Sequence, residues 1–471
     1  MLVYTVCRFA VGVIMSALQK APSTLALPRK YDIMKAIEKK GACVMLDPKI
    51  VDNYIAILTE ELVPATGCTE PIAIAYCAAT VRKLLGQLPE RVSAVLSGNI
   101  LKNVKSVVVP NTGGRKGIRP AIAAGLVAGN AERDLQVIAD ISEAQLAEID
   151  AYLKSTEIDI TCGSSPCKLD IDLTGYVGTH TARVRITNHH TNIVHMERDG
   201  AVLRDEPIAD ASEERMTDKS CLNVEDILRF ADTVELSRVE PLLKRQVTAN
   251  SAIAEEGLRG AWGAQIGRIL LEDYGDDVKQ RAKAYAAAGS DARMSGCEMP
   301  VIILSGSGNQ GITACMPVVV YAKHIGATQE QLLRALVVSD LVTIHQKSGI
   351  GRLSAYCGAI SAGVGAGAGI CYLLGGGYSA VAHTIVNAVA ILSGTICDGA
   401  KPSCAAKIAA AVDAGIMGYR MYLHHREFRS GEGIVADSVD ETIANVGMLA
   451  SQGMRQTDHT ILRIMQDSEC R

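Results

Sequence analysis

RLSAYCGAISAGVGAGAGICYLLGGGYSAVAHTIVNAVAILSGTICDGAKPSCAAK, residues 352–407, decides how the rest of the chain is to be read. From Leu353 to Cys397 it runs for 45 residues without Asp, Glu, Lys or Arg, and His383 is the one side chain there that titrates near neutral pH. Gly375-Gly376-Gly377 divides it into two segments of helix length, and Cys357, Cys397 and Cys404 stand at its edges. So apolar a stretch is either a buried helical core or a membrane hairpin, since about 20 uncharged apolar residues suffice to span a bilayer. Against the hairpin, Gly363, Gly365, Gly367 and Gly369 alternate in the first segment, where glycine adds little transfer free energy and weakens an isolated helix. No Trp and no Lys/Arg belt brackets the pair in the manner of a spanning segment. The expectation is a buried soluble core.

Composition agrees with that expectation. The chain has 471 residues, enough for a large core and two domains. A formal net charge of −4 gives no reason to expect nucleic acid or an acidic surface as partner. With three Phe, one Trp and 43 Gly, close-packed helices are favoured over an all-β sandwich. Fourteen cysteines in so long a chain do not make a small disulfide scaffold, and with no convincing secretory signal they place the chain in the reducing cytoplasm. The opening MLVYTVCRFAVGVIMSALQKA is a short apolar run broken by Arg8; it reads as a loosely attached extension rather than a targeting signal.

The expected fold class is α+β: a predominantly helical domain built around the Gly/Ala-rich helices, with a smaller α+β module inserted. Residues 1–44 are a poorly organised extension, 45–90 a helical segment packing with the large helical domain, 91–215 the module, and 216–471 that helical domain. In 45–90, Ile50, Tyr54, Ile57 and Leu58 share a helix face and Asp47 is its N-cap. Pro64 ends this helix and a second starts after Pro71, so ATGCTEP (65–71) is a turn. Cys68 then lies at or just before a helix N-terminus, where backbone N–H groups and the dipole lower a thiol pKa; a buried structural cysteine is the other reading. In the module, RVSAVLSGNI, KSVVVP, DITCG, KLDIDLTG and TARVRITNHHTNIVHMERDGAVL read as strands, and AIAAGLVAG and ISEAQLAEIDAYLKS as helices. His189 and His190 fall on opposite faces of a strand and, with His195, are not taken as metal ligands. Cys162 and Cys167 lack a matching second pair and are read as loop residues. Further on, SGSGNQG (305–311) separates an apolar run from a helix. Its glycines allow N–H groups to turn to one point, an anion cradle for carboxylate or phosphate, though a structural turn explains it equally well.

Three stretches taken together are more specific. ATGCTEP around Cys68, GCEMPVIILSGSGNQGITACMPV (296–318) and the set Cys357…Cys397-x6-Cys404 resemble the L-cysteine desulfidase family of the UPF0597 type, related to the bacterial iron–sulfur L-serine dehydratase alpha domain. The likeness runs from Met45 to Met465, including the closing GMRQTDHTILRIM. It implies a lyase that carries a [4Fe–4S] cluster and no pyridoxal phosphate, with Cys357, Cys397 and Cys404 as ligands. Thiolates are the usual ligands of such clusters, and three of them leave one iron open to act as a Lewis acid. The resemblance further implies Cys68 as proton acceptor and L-cysteine as substrate, giving pyruvate, ammonia and hydrogen sulfide; L-serine is the alternative, and a non-catalytic metal- or thiol-binding relative the third. Ser305, Ser307 and Asn309 are then candidates to hold the substrate carboxylate, and His345 and Lys347 to stabilise charge. The partners implied are a small amino acid and at most a second copy of the chain, with no nucleic acid and no membrane. Cys470, in a tail without a matching motif, reads as frayed end.

Overall fold

The structure is a computed structural model and describes residues 46–66, 69–165, 167, 169–208, 217–351 and 354–467. Chain order begins with α1 (Pro48–Glu61), started by Asp47, whose carboxylate accepts the Lys49 N–H, then β1 (Pro64–Thr66) and α2 (Thr69–Leu85). Two details depart from expectation here. Residues 64–66 are not turn: they pair antiparallel with Pro300–Ile302, Pro64 opposite Ile302. And α2 starts at Thr69, with Pro71 inside its first turn, where a missing N–H costs no helical bond.

The module follows: β2 (Arg91–Leu96), α3 (Gly98–Val104), α4 (Ile118–Ala128), α5 (Glu143–Ser155), β3 (Glu157–Cys162), β4 (Asp170–Val177), β5 (His180–Thr187), β6 (Ile193–Arg198) and β7 (Ala201–Asp205). The strands form one sheet in the order β3-β2-β4-β5-β6-β7, with β2 and β3 parallel and every other pair antiparallel. KSVVVP, for all its β-branched residues, forms no strand of this sheet; Val108 makes an isolated bridge to Lys116. His189 and His190 lie in the turn after β5 rather than on a strand. His195 on β6 is tied to Asp205 (3.0 Å) and Glu197 (3.3 Å).

The remainder is helical: α6 (Val224–Thr233), α7 (Glu240–Arg259), α8 (Ile266–Tyr274), α9 (Val278–Met294), the short strand β8 (Pro300–Ile302), α10 (Gly308–Ile325), α11 (Gln329–Ile350), α12 (Gly358–Leu373), α13 (Tyr378–Leu392), α14 (Cys404–Leu423), α15 (Val439–Met448) and α16 (Arg455–Asp467). The whole is an α+β fold dominated by helix. Among the described residues no helix is long and apolar enough to cross a membrane; α12 and α13, the two helices of the charge-free stretch, have 16 and 15 residues.

Helix α12 is the hub, packed by α10, α11, α13 and α14. Its alternating glycines are two interleaved i,i+4 stripes on nearly opposite faces. Gly363 and Gly367 face α14: a Cβ at Gly363 would stand 2.5 Å from the Ala411 carbonyl, and one at Gly367 2.6 Å from that of Gly415. Gly365 and Gly369 face α11, where added Cβ atoms would meet the Ser339 carbonyl at 2.5 Å and that of Ala335 at 2.8 Å. The glycines that weaken the isolated helix thus admit neighbours to backbone contact.

Among the described residues two large hydrophobic cores form, besides a small cluster of Leu270, Ala284, Ala287, Ala405 and Ala409. One joins α1 to the C-terminal helices; the other is built by the sheet with α2, α4 and α5. Helix α2 lies on β4 and β5 and buries Ile74, Ala78 and Val81 there, so within 45–90 the two helices belong to different cores.

Candidate functional site

The three cysteines at the edges of the charge-free stretch meet because two short segments run side by side. Cys357 donates its N–H to Thr395 O (3.1 Å), Cys397 donates to Ala355 O (2.6 Å), and Tyr356 bridges Ile396 antiparallel. Cys357 is the N-cap of α12 and Cys404 the first residue of α14. The loop between Cys397 and Cys404 is clamped by Asp398, which accepts from Lys401 and from Lys407 Nζ (2.6 Å). Gly399, at φ +99°, passes so close to α3 that a Cβ would lie 2.4 Å from Lys102 O.

All three thiols line one cavity of about 110 Å³ at the seam of the two cores. The Cys357 thiol donates to Cys397 and is itself pushed well above the usual thiol range, first by that bond and then by burial. Cys397 is pulled down to about 6 by the same hydrogen bond; against its burial, Lys102, the Gly399 N–H and Lys407 act in the same direction. Cys404 is raised by burial. Four helices also begin at the cavity: Thr69 opens α2, Ser307 caps α10, Gly358 opens α12 and Cys404 opens α14, and all four residues line it. Their dipole ends favour negative charge at one place.

Opposite the thiols lies the 305–311 loop. Leu304 and Ser307 exchange backbone hydrogen bonds (3.1 and 3.0 Å) around Ser305 and Gly306, which have φ of +49° and +77°. This is a two-residue turn with both central residues left-handed. It aims Ser307 and Asn309 into the cavity, while Ser305 is buried and is not part of the lining. Lys347 lines the cavity and donates to Gly351 O (2.6 Å). His345, two residues earlier on α11 and so on the other side of the helix, is not in the lining; its Nε2 pairs with Asp440 of α15 at 2.7 Å. Cys68 and Cys470 lie outside the described residues, and the two residues after Cys68, Thr69 and Glu70, line the cavity.

Among the other lining residues, Glu70, Gln310 and Tyr356 lie in stretches already singled out, whereas Lys102, Asn103 and Arg293 had no signature in the sequence. The sheet side supplies Glu70, Lys102 and Asn103: Asn103 donates to Glu70 Oε1 (3.1 Å) and Thr69 Oγ1 to Glu70 Oε2 (3.1 Å). Lys102 pairs with Asp458 of α16. From the helical side come Gln310, Tyr356 and Arg293, whose Nη1 donates to Asn309 Oδ1 (3.2 Å). Among the described residues Gln310 Oε1, the Tyr356 hydroxyl and Arg293 Nε are buried with no hydrogen-bond partner. Arg293 sits in the run AAAGSDARM, where a charge among small buried residues was the available hint.

The chain is similar to known proteins over most of its length. A family model described as "Serine dehydratase alpha chain" matches residues 132–463. A UPF0597 protein of Desulfitobacterium hafniense is 55% identical over 413 residues, covering 88% of this chain and 96% of its own length. A UPF0597 protein of Lachnoclostridium phytofermentans is 49% identical over 88% of this chain and 99% of itself. A third, of Treponema denticola, is 46% identical over 89% and 99%. Their shared name states no substrate.

Proposed function

The chain belongs to the serine dehydratase alpha-chain family and to the UPF0597 proteins, and from that premise we propose a [4Fe–4S]-dependent lyase that eliminates the β-substituent of L-cysteine, giving pyruvate, ammonia and hydrogen sulfide. The observation that carries this reading is the meeting of Cys357, Cys397 and Cys404 in one positively biased cavity with Ser307, Asn309 and Lys347.

The donor set fits the cluster. Among the described residues no three His, Cys, Asp or Glu side chains converge on a single ion, whereas a cubane takes one thiolate per iron and does not need them to. Thiolate character at Cys397 is favoured by Lys102 and Lys407, and the helix N-termini add to it. Cys357, Cys397 and Cys404 would hold such a cluster, which would supply Lewis acidity through the iron they leave open.

The chain's own residues do the rest. Ser307 and Asn309 hold the carboxylate end, and the buried Lys347 ammonium adds positive charge beside it. Cys68 takes the α-proton in this reading; Thr69 and Glu70, next along, wall the cavity. Loss of that proton and of hydrosulfide from Cβ leaves 2-aminoacrylate, which tautomerises and hydrolyses in water to pyruvate and ammonium. L-serine is the second reading, because the matching family is described by that amino acid; hydroxide then leaves in place of hydrosulfide.

Anaerobic reconstitution followed by parallel assays on L-cysteine and L-serine tests the proposal. About four irons per chain, with sulfide and pyruvate from cysteine, upholds it. Pyruvate from serine alone moves the substrate. Folded, oxygen-free protein with neither cluster nor product overturns it. Cys68→Ser should keep its iron and lose turnover; loss of iron would make Cys68 a ligand instead.

A further inference from the structure

From the unmet polar atoms of the cavity we infer that Arg293 is the anchor for the carboxylate of the amino-acid substrate, the group that makes this site select carboxylates. The inference rests on the reading above for the substrate class and on the geometry for the residue.

Arg293 lies in the last turn of helix α9 and is 4% exposed. Its Nη1 donates to Asn309 Oδ1, a neutral acceptor, and its Nε has no partner. Among the described residues no carboxylate pairs with it. A guanidinium never loses its proton in a protein, so it cannot escape burial by neutralising. Buried arginines are therefore paired almost without exception, and an uncompensated one is strongly disfavoured.

Its position sharpens the demand. The guanidinium lies against the first turn of α10: a Cβ at Gly308 would stand 2.3 Å from Arg293 Nε. The N-terminal end of a helix carries partial positive charge and disfavours a cation. Burial and the lack of a counter-ion are both relieved by an anion in the cavity. The planar fork of the guanidinium suits a carboxylate, which it binds through two parallel N–H donors. Asn309 holds the fork from one side, which gives that residue a positioning part in addition to any contact with substrate.

The neighbouring thiols are the competing claimant for this charge. They already have Lys102 and Lys407 acting on Cys397, and no interaction joins Arg293 to any of them. Gln310 and Tyr356, which also line this cavity, each keep a buried polar atom, Oε1 and the hydroxyl, without a partner among the described residues.

The test uses reconstituted, oxygen-free protein and three probes that cannot undergo elimination: L-alanine, propionate and ethylamine. Binding is read by calorimetry for the parent, Arg293→Gln and Arg293→Lys, with iron content measured on each. Loss of a charged hydrogen-bonded anchor is expected to weaken L-alanine and propionate by about 10- to 100-fold in Arg293→Gln. Ethylamine affinity and iron content should stay at the parent's values. Arg293→Lys should fall between, because an ammonium keeps the charge and loses the fork. Unchanged L-alanine affinity in Arg293→Gln overturns the inference, and so does iron lost in parallel with affinity, which would assign the charge to the thiols. If Arg293→Gln does not fold, Arg293→Lys decides: weakened L-alanine with unchanged ethylamine upholds the inference, and equal affinities for both overturn it. Protein that binds L-alanine through Arg293 and releases no pyruvate from cysteine or serine keeps this inference and loses the reading beneath it. Turnover of cysteine by Arg293→Gln at the parent's KM does the reverse.

Discussion

Lys102 Nζ lies 2.5 Å from Asp458 Oδ1, and this one ion pair joins a wall of the cavity to the C-terminal helix α16. The lysine side chain is 1% exposed and the aspartate 19%. Removing one member of so buried a pair leaves the other charged and unsolvated. Asp458→Asn should therefore destabilise the fold by about 2–4 kcal/mol, read as a lower denaturant midpoint at unchanged m-value. An unchanged midpoint would mean that water reaches Lys102 when the pair is broken.

Replacing Cys357, Cys397 or Cys404 by Ala should remove bound iron and activity together. Cys371→Ala, a buried thiol elsewhere on α12, should retain both. Iron and acid-labile sulfide after anaerobic reconstitution provide the measurement. Full iron in any of the first three variants would exclude that residue as a ligand.

Close backbone packing around α12 predicts a graded response to a single methyl. At Gly415 an added Cβ would meet the Gly363 carbonyl at 2.2 Å, while at Gly394 nothing lies within 4 Å. Gly415→Ala should cost about 2–4 kcal/mol through overpacking and Gly394→Ala should leave the thermal midpoint within about a degree of the parent. Equal effects at the two positions would contradict the packing described.

Asp340, wholly buried on α11, accepts from Gln246 Nε2 at 2.9 Å. Burial pushes its carboxyl up to about 7, against the effect of that hydrogen bond. An acid whose pKa is higher folded than unfolded binds more protons when folded, so its contribution is complete below about pH 4 and is lost as pH rises through about 7. Asp340→Asn should accordingly gain stability relative to the parent at pH 8, on the order of a few kcal/mol, and lose that advantage near pH 4. The difference between the two unfolding curves across pH isolates this group from the other carboxylates.

What the sequence made legible, and what it hid, divides by the range of the interaction. The charge-free run announced buried helices because periodicity and composition act locally, and the alternation of Gly363, Gly365, Gly367 and Gly369 is visible to the eye. Its meaning was not, since the two faces it serves are defined only by where α11 and α14 come to lie. The β-branched KSVVVP reads as strand by propensity, yet the sheet leaves it no neighbour to pair with. Glu70, Lys102, Asn103 and Arg293 come from helices remote in sequence and meet at a seam between two cores, so no spacing rule reaches them. The pairing of residues 355–357 with 395–397 is too short to leave a pattern. His345 and Lys347 look equivalent in the string HQK, and only the rotation of α11 separates the one at Asp440 from the one at the cavity.

Cys357 opens α12, Cys404 opens α14, and those two helices touch through Gly363, Gly367 and Gly415. The separation of the two thiols is therefore gauged by main chain resting on main chain, in the way a machined seat holds a part without a gasket. Side-chain rotamers have no say in it. A saturation-mutagenesis map of this protein would accordingly score these glycines as severely as the cysteines, although they lie about two to three turns away along their helices and line no part of the cavity. Loss of function alone would draw the outline of the active site far larger than it is; iron content and ligand binding, measured variant by variant, would draw it to size.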